Sequence, residues 1–215
     1  MEKLKLIYVY DALCGWCFGF SPVMSAFAEK HEADIEVQVV SGGMIRGERI
    51  GPIGEVAAYI KDAYKTVEDS TGVKFGKAFL EDVLEEGSTV FTSIPASVAL
   101  SVFKTIKPEA SLAYAADLQE AIYVDGITPE DFEAYAARAA KYGIDPEKFV
   151  EMMQQDTFIA MTEEDFALAQ QMGVNGFPTI ILHNGEKAVM MARGYLPMER
   201  LESNYSQAKA VLLDA

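Results

Sequence analysis

Thiols, imidazoles and cations are scarce in this sequence, and each scarcity removes a class of function. The chain has two cysteines and two histidines. A zinc site takes about four ligands, and neither His31 nor His183 stands at ligand spacing from Cys14 and Cys17. No metal and no other cofactor is therefore expected, and only a site completed across a dimer stays open. Lys and Arg number 18 against 33 Asp and Glu, a formal net charge of −15. Nucleic acid and anionic membrane surfaces need clustered cations, so neither is expected as a partner. Long apolar runs are missing as well. None approaches the ~20 residues of a membrane span, and the run from Leu4 to Tyr10 is too short and too near the cysteines for a signal peptide. A cytoplasmic location is expected. What remains is half hydrophobic and 24% charged, without repeats or low-complexity tracts, and long enough to bury a substantial core.

The two cysteines that are present stand together. Cys14-Gly15-Trp16-Cys17 follows Leu4-Lys5-Leu6-Ile7-Tyr8-Val9-Tyr10, apolar at every position but Lys5, which reads as a buried strand. A helix is predicted from about Cys14 to His31, with Pro22 inside it as a kink. A thiol at a helix N-terminus sits among N–H groups that have no partner within the helix, so a thiolate is favoured there. Cys14 is the candidate nucleophile. Cys17, one turn on and deeper, is placed to attack a mixed disulfide formed on Cys14 and release the product. A purely structural disulfide is the duller reading, but closing so short a loop restrains little unfolded-chain entropy.

Alternation in Ile35-Glu36-Val37-Gln38-Val39-Val40 predicts a second strand, and a helical crossover between two strands makes them parallel. The loop from Ser41-Gly42-Gly43 to Gly54 carries Arg46 and Arg49, either solvated or available to a substrate carboxylate. From about Glu55 to Gln171 the pattern is helical almost throughout. Start signals stand at Thr128-Pro129-Glu130-Asp131, Asp145-Pro146-Glu147 and Thr162-Glu163-Glu164, with no comparable strand signal. Then Ile180-Ile181-Leu182, Asn184-Gly185 and Ala188-Val189-Met190-Met191 predict a β-hairpin. Leu201, Tyr205, Ala208 and Leu212 line one face of a last helix. The expected order is βαβ, a helical insertion, then ββα. The fold class is α/β, with residues 1–54 and 172–215 forming one domain and 55–171 an inserted all-helical subdomain.

With these parts in order, the chain resembles the thioredoxin superfamily. Within it, the helical insertion is similar to that of the DsbA-like thiol-disulfide oxidoreductases. The resemblance rests on Cys14-Gly15-Trp16-Cys17 after the first strand, on Pro22 five residues past the second cysteine, and on Gly176-Phe177-Pro178-Thr179 at the place of the cis-proline loop. Asp11-Ala12-Leu13 before the motif looks like the leaderless FrnE-type members, described as predicted protein-disulfide isomerases. The resemblance implies a thioredoxin fold and a redox-active centre of Cys14, Cys17 and a cis Pro178. It further implies that Gly15, Trp16, Phe177 and Thr179 bind substrate. Two departures stand out. Tyr8 occupies the position of the buried acid found in many members, leaving Asp11 as the nearest carboxylate for a proton relay. The dipeptide Gly15-Trp16 matches neither the oxidising DsbA proteins nor the reducing thioredoxins.

The implied activity is that of a thiol-disulfide oxidoreductase or isomerase acting on protein, peptide or small-molecule disulfides, with glutathione among the implied partners. Two other readings compete. A kappa-type glutathione transferase or isomerase would use the thiol of glutathione and give Cys17 no role. A non-catalytic adaptor would keep the scaffold and bind without turnover.

Overall fold

The structure, a computed structural model, describes residues 3–213; positions 1–2 and 214–215 of the expected domain 1–54 and 172–215 lie outside that range. Strands β1 (Leu4–Tyr10), β2 (Ile35–Ser41), β5 (Thr179–His183) and β6 (Ala188–Arg193) form one sheet in the order β2-β1-β5-β6. Helix α1 (Gly15–Lys30) crosses from β1 to β2, which pair in parallel, whereas β5 runs antiparallel to both β1 and β6. The expected βαβ and ββα halves are thus joined in a single sheet, and β1 is central because it is apolar on both faces.

Side chains of β1 alternate between the two faces. Leu6, Tyr8 and Tyr10 enter the large core with Met24 and Phe27 of α1 and with Leu201 and Tyr205 of α9 (Met198–Leu213). Ile7 and Val9 face the other way, against Val40, Ile181 and Ala169. Ala169 lies on α8 (Asp156–Gln171), which ends before Gly173, a residue with φ +70. The sheet is therefore covered on both sides, and Leu201, Tyr205, Ala208 and Leu212 are the buried stripe read from the sequence.

Between the halves lie α2 (Ala57–Thr71), a π-helical turn at Ala78–Val83 leading into α3 (Leu84–Glu86), and α4 (Ile94–Ile106). They are followed by α5 (Ser111–Tyr123), α6 (Phe132–Ala140) and α7 (Pro146–Met153). This segment has one short exception to helix: β4 (Val90–Phe91) pairs antiparallel with β3 (Gly51–Pro52). Two residues give no periodic signal, which is why β4 escaped the sequence pattern.

Two start signals also act differently from expectation. Asp131, not Thr128, caps α6 by accepting from the Ala134 N–H, and Thr128 instead closes the preceding turn. Thr162 lies in the middle of α8, where its hydroxyl donates to the Phe158 carbonyl and meets Ser101 Oγ, so burial and not capping explains it. Asp145 does cap α7, accepting from the Glu147 and Lys148 N–H groups.

One close approach fixes α2. A Cβ on Gly19 of α1 would lie 2.8 Å from Val67 and from Thr71, so the last turns of α2 rest directly on the α1 backbone.

Candidate active site

The chain leaves β1 at Tyr10 and turns at once. Asp11 shapes that turn, its carbonyl accepting from Cys14 N–H at 3.1 Å and its Oδ1 from Leu13 N–H at 2.9 Å. Cys14 then caps α1 in an extended conformation, and its sulfur accepts from the Cys17 N–H at 3.4 Å. Both cysteines are free thiols. They differ in access: Cys14 is 6% exposed and Cys17 is 0% exposed. Burial pushes the Cys17 thiol well up, the neighbouring Cys14 sulfur adds to that, and the Asp11 backbone N–H pulls in the opposite direction. Tyr8 stands beside the pair, its phenol pushed well up first by burial and then by the Cys17 and Cys14 thiols.

Phe177, 163 residues from Cys14 in sequence, presents its carbonyl oxygen 3.7 Å from the Cys14 sulfur. The Phe177–Pro178 bond is cis. The Phe177 ring lies against Gly42, where a Cβ would come within 2.0 Å of the ring. Glycine is required there by contact with an aromatic ring, a constraint the Ser41-Gly42-Gly43 break in the sequence did not reveal. The Pro178 carbonyl accepts from Gly194 N–H at 2.7 Å. Thr179 is fully buried and its hydroxyl donates to the Gly176 carbonyl, so its side chain shapes this loop and does not face solvent. Gly15 passes at contact distance from Phe75, and the half-buried Trp16 ring sits 6.1 Å from that of Tyr195.

Asp11 is buried at 1% exposure, yet its carboxylate is well supplied with donors. Oδ1 accepts from Leu13 N–H and Ser93 Oγ, each at 2.9 Å, and Oδ2 accepts from Met44 N–H at 2.7 Å. Burial raises its protonation range, while the bonds from Met44, Leu13 and Ser93 lower it. The carboxylate therefore pins three segments together: the turn before Cys14, the loop after β2 and the start of α4. Ser93 and Met44 were not read from the sequence. Ser93 precedes Ile94-Pro95 as a helix-start signal, but nothing in its spacing points 82 residues back to Asp11.

Arg46 is held by Glu163 at 3.3 Å and over the Phe166 ring, and Arg49 donates to the Met44 carbonyl at 3.1 Å. A cavity of about 540 Å³ opens beside Cys14, and Arg49 is part of its lining. A hollow of about 630 Å³ elsewhere, bordered by Lys5 and Glu36, is remote from the cysteines. Among the described residues no group of three or more His, Cys, Asp or Glu stands close enough to hold a metal ion, and no helix is long and apolar enough to cross a membrane.

Comparison with known proteins follows the same lines. The family model of the DSBA-like thioredoxin domain matches residues 5–206. A "putative protein disulfide isomerase" from Nitrosomonas europaea superposes with a TM-score of 0.84 at 25% identity, covering 96% of this chain and 97% of that one. The cytosolic disulfide reductase DsbM from Pseudomonas aeruginosa gives 0.78 at 26% identity, covering 99% and 100%. The same reductase with GSH gives 0.77 at 26% identity, covering 96% and 100%. No curated protein matches the sequence.

Proposed function

We propose, from the premise that this chain belongs to the DSBA-like thioredoxin domain family, that it is a cytoplasmic thiol-disulfide oxidoreductase or isomerase working through Cys14 and Cys17. The observation that carries this reading is the asymmetry of the two free thiols, one turn apart, with Cys14 capping α1 and lining the adjacent cavity and Cys17 fully buried behind it. Cys14 as thiolate attacks one sulfur of a substrate disulfide; the Cys14–S bond forms, the substrate S–S bond breaks, and the first thiolate leaves and takes up a proton. Cys17, once deprotonated, attacks Cys14, closing the Cys14–Cys17 disulfide and releasing the second thiolate. Two electrons pass from the dithiol to the substrate. The Cys17 N–H stands ready for the anionic Cys14 sulfur that the reverse exchange expels.

Reduction or reshuffling is the proposed direction, in keeping with a reducing cytosol and with the similarity to a cytosolic reductase. Glutathione is a proposed partner, since the similar reductase is described with GSH. The Phe177 carbonyl beside Cys14 is proposed to accept from the backbone of an extended substrate. A transferase relying on the glutathione thiol leaves the buried Cys17 without purpose, and an adaptor would show no turnover. The test is trapping. Cys17→Ser should accumulate a covalent complex with a disulfide substrate, seen by non-reducing gel and mass spectrometry, and Cys14→Ser should trap nothing. Equal trapping by both variants, or a wild type unable to reduce insulin or a small disulfide, would overturn the assignment.

A further inference from the structure

Beside Cys14 the molecule leaves room that its own side chains do not fill. Ile60, Ala63, Tyr64 and Val67 fall at the spacing of one helical face of α2, and all four line the cavity of about 540 Å³ into which Cys14 also opens. Only Val67 of these is fully buried. That is the residue resting on Gly19, so α2 is docked by its last turns while its first turns roof an open space. At the mouth, Val56 is 50% exposed and Tyr59 is 72% exposed, both on the lining. Apolar side chains kept in water beside a concave apolar wall mark a ligand site, and the volume lies in the roughly 300–1,000 Å³ range of small-molecule sites. Glu48, Arg49 and Glu55 give the rim both signs of charge, which selects for no net charge on the occupant.

We infer that this cavity binds the bulky apolar half of a low-molecular-weight disulfide, an aromatic or branched thiol joined to a second thiol, and holds its sulfur against Cys14. The inference rests on the oxidoreductase reading above and adds the substrate class. Phe177 and Pro178 are not part of the lining, so an extended peptide following that loop would leave the space empty. In the bound state Cys14 thiolate attacks the sulfur carrying the apolar group. The Cys14–S bond forms, the substrate S–S bond breaks, and the smaller thiolate leaves and is protonated. Attack by Cys17 on Cys14 then expels the apolar thiolate and leaves the enzyme disulfide. One turnover of the reduced enzyme needs no other reductant.

The experiment is a single-turnover comparison of the reduced full chain with a benzylic disulfide and its ethyl counterpart, each rate divided by that of dithiothreitol with the same compound. At least tenfold preference for the benzylic disulfide is expected in the wild type. Ala63→Trp, which fills the roof, should bring that ratio down to the dithiothreitol value. Tyr59→Ser changes an exposed side chain, so it keeps the fold, and should lower the ratio at least threefold. Reduction of both compounds without preference, or a preference untouched by both variants, overturns the cavity assignment and leaves the oxidoreductase reading standing. Reduction of neither compound overturns that reading and this one with it. A peptide disulfide with phenylalanine beside the cystine that reacts faster than the free benzylic disulfide overturns the small-molecule class.

Discussion

Cys14 and Cys17 are chemically the same residue placed in two environments, and under the proposed exchange the difference between them sets the order of events. Because burial pushes the Cys17 thiol well up, its thiolate is scarce near neutral pH, and under the proposed exchange the release of the mixed disulfide is expected to be governed by Cys17 and not by the attack of Cys14. The sign follows: below the raised value, release speeds up as pH rises, by about tenfold per unit, because only the thiolate is a nucleophile. Stopped-flow decay of a preformed mixed disulfide on the wild type measures this, and a decay rate that is flat in pH would contradict it. Asp11 is the second decisive residue. Its two oxygens receive Leu13 N–H, Ser93 Oγ and Met44 N–H, and Asp11→Asn replaces one acceptor oxygen by an NH₂ group that faces a donor. Leaving a buried donor unmet costs about 1–3 kcal/mol. Urea denaturation should show that loss, accompanied by slower disulfide exchange because the turn before Cys14 loosens. A variant of unchanged stability would mean that Asp11 does not pin the turn.

Elements with strong local periodicity were legible in the sequence, and those defined by distant contacts were not. The strand ending at Tyr10 is apolar throughout because it lies in the middle of the sheet, and the hairpin of β5 and β6 announces itself by alternation and Asn184-Gly185. The cysteine pair was legible from its place after the first strand, whereas the cis Phe177–Pro178 bond was expected only from the family resemblance. By contrast, β4 is two residues long, α6 begins four residues after the threonine that promised it, and Thr162 sits buried in mid-helix. The first and last depend on partners far along the chain, β3 and Ser101, whereas the start of α6 is a local contest between Thr128 and Asp131. A distant partner also governs α2, whose apolar face covers a cavity and whose seat on Gly19 belongs to another helix. Gly19→Ala should push Val67 and Thr71 outward. The expected result is faster hydrogen exchange confined to α2 and a lower stability of about 1–3 kcal/mol from overpacking. Uniform loss of protection across the molecule would show that α2 is not seated at this single point.

On the scale of the whole molecule, the formal net charge of −15 bears on which disulfides arrive. Glutathione disulfide is itself anionic, so its encounter with Cys14 is opposed at long range, and salt screens that opposition with a Debye length falling from ~30 Å at 0.01 M to ~8 Å at 0.15 M. Reduction of glutathione disulfide should therefore accelerate several-fold between those ionic strengths, while a neutral disulfide of similar size should not respond. Equal salt dependence for the two, measured by the rate of thiol release, would show that global charge does not steer substrate. The sheet order has a further consequence, for the life history of the chain. Strand β1 is hydrogen-bonded to β5, and Cys14 meets a residue 163 positions later. During synthesis the cysteines thus leave the ribosome long before the strand that completes their surroundings. Until β5 arrives, Cys14 lacks the Phe177 carbonyl beside it and β1 lacks one of its two ladder partners. A chain of this topology completes the surroundings of Cys14 only once β5 has been made, and a nascent chain arrested before β5 carries the thiols without them.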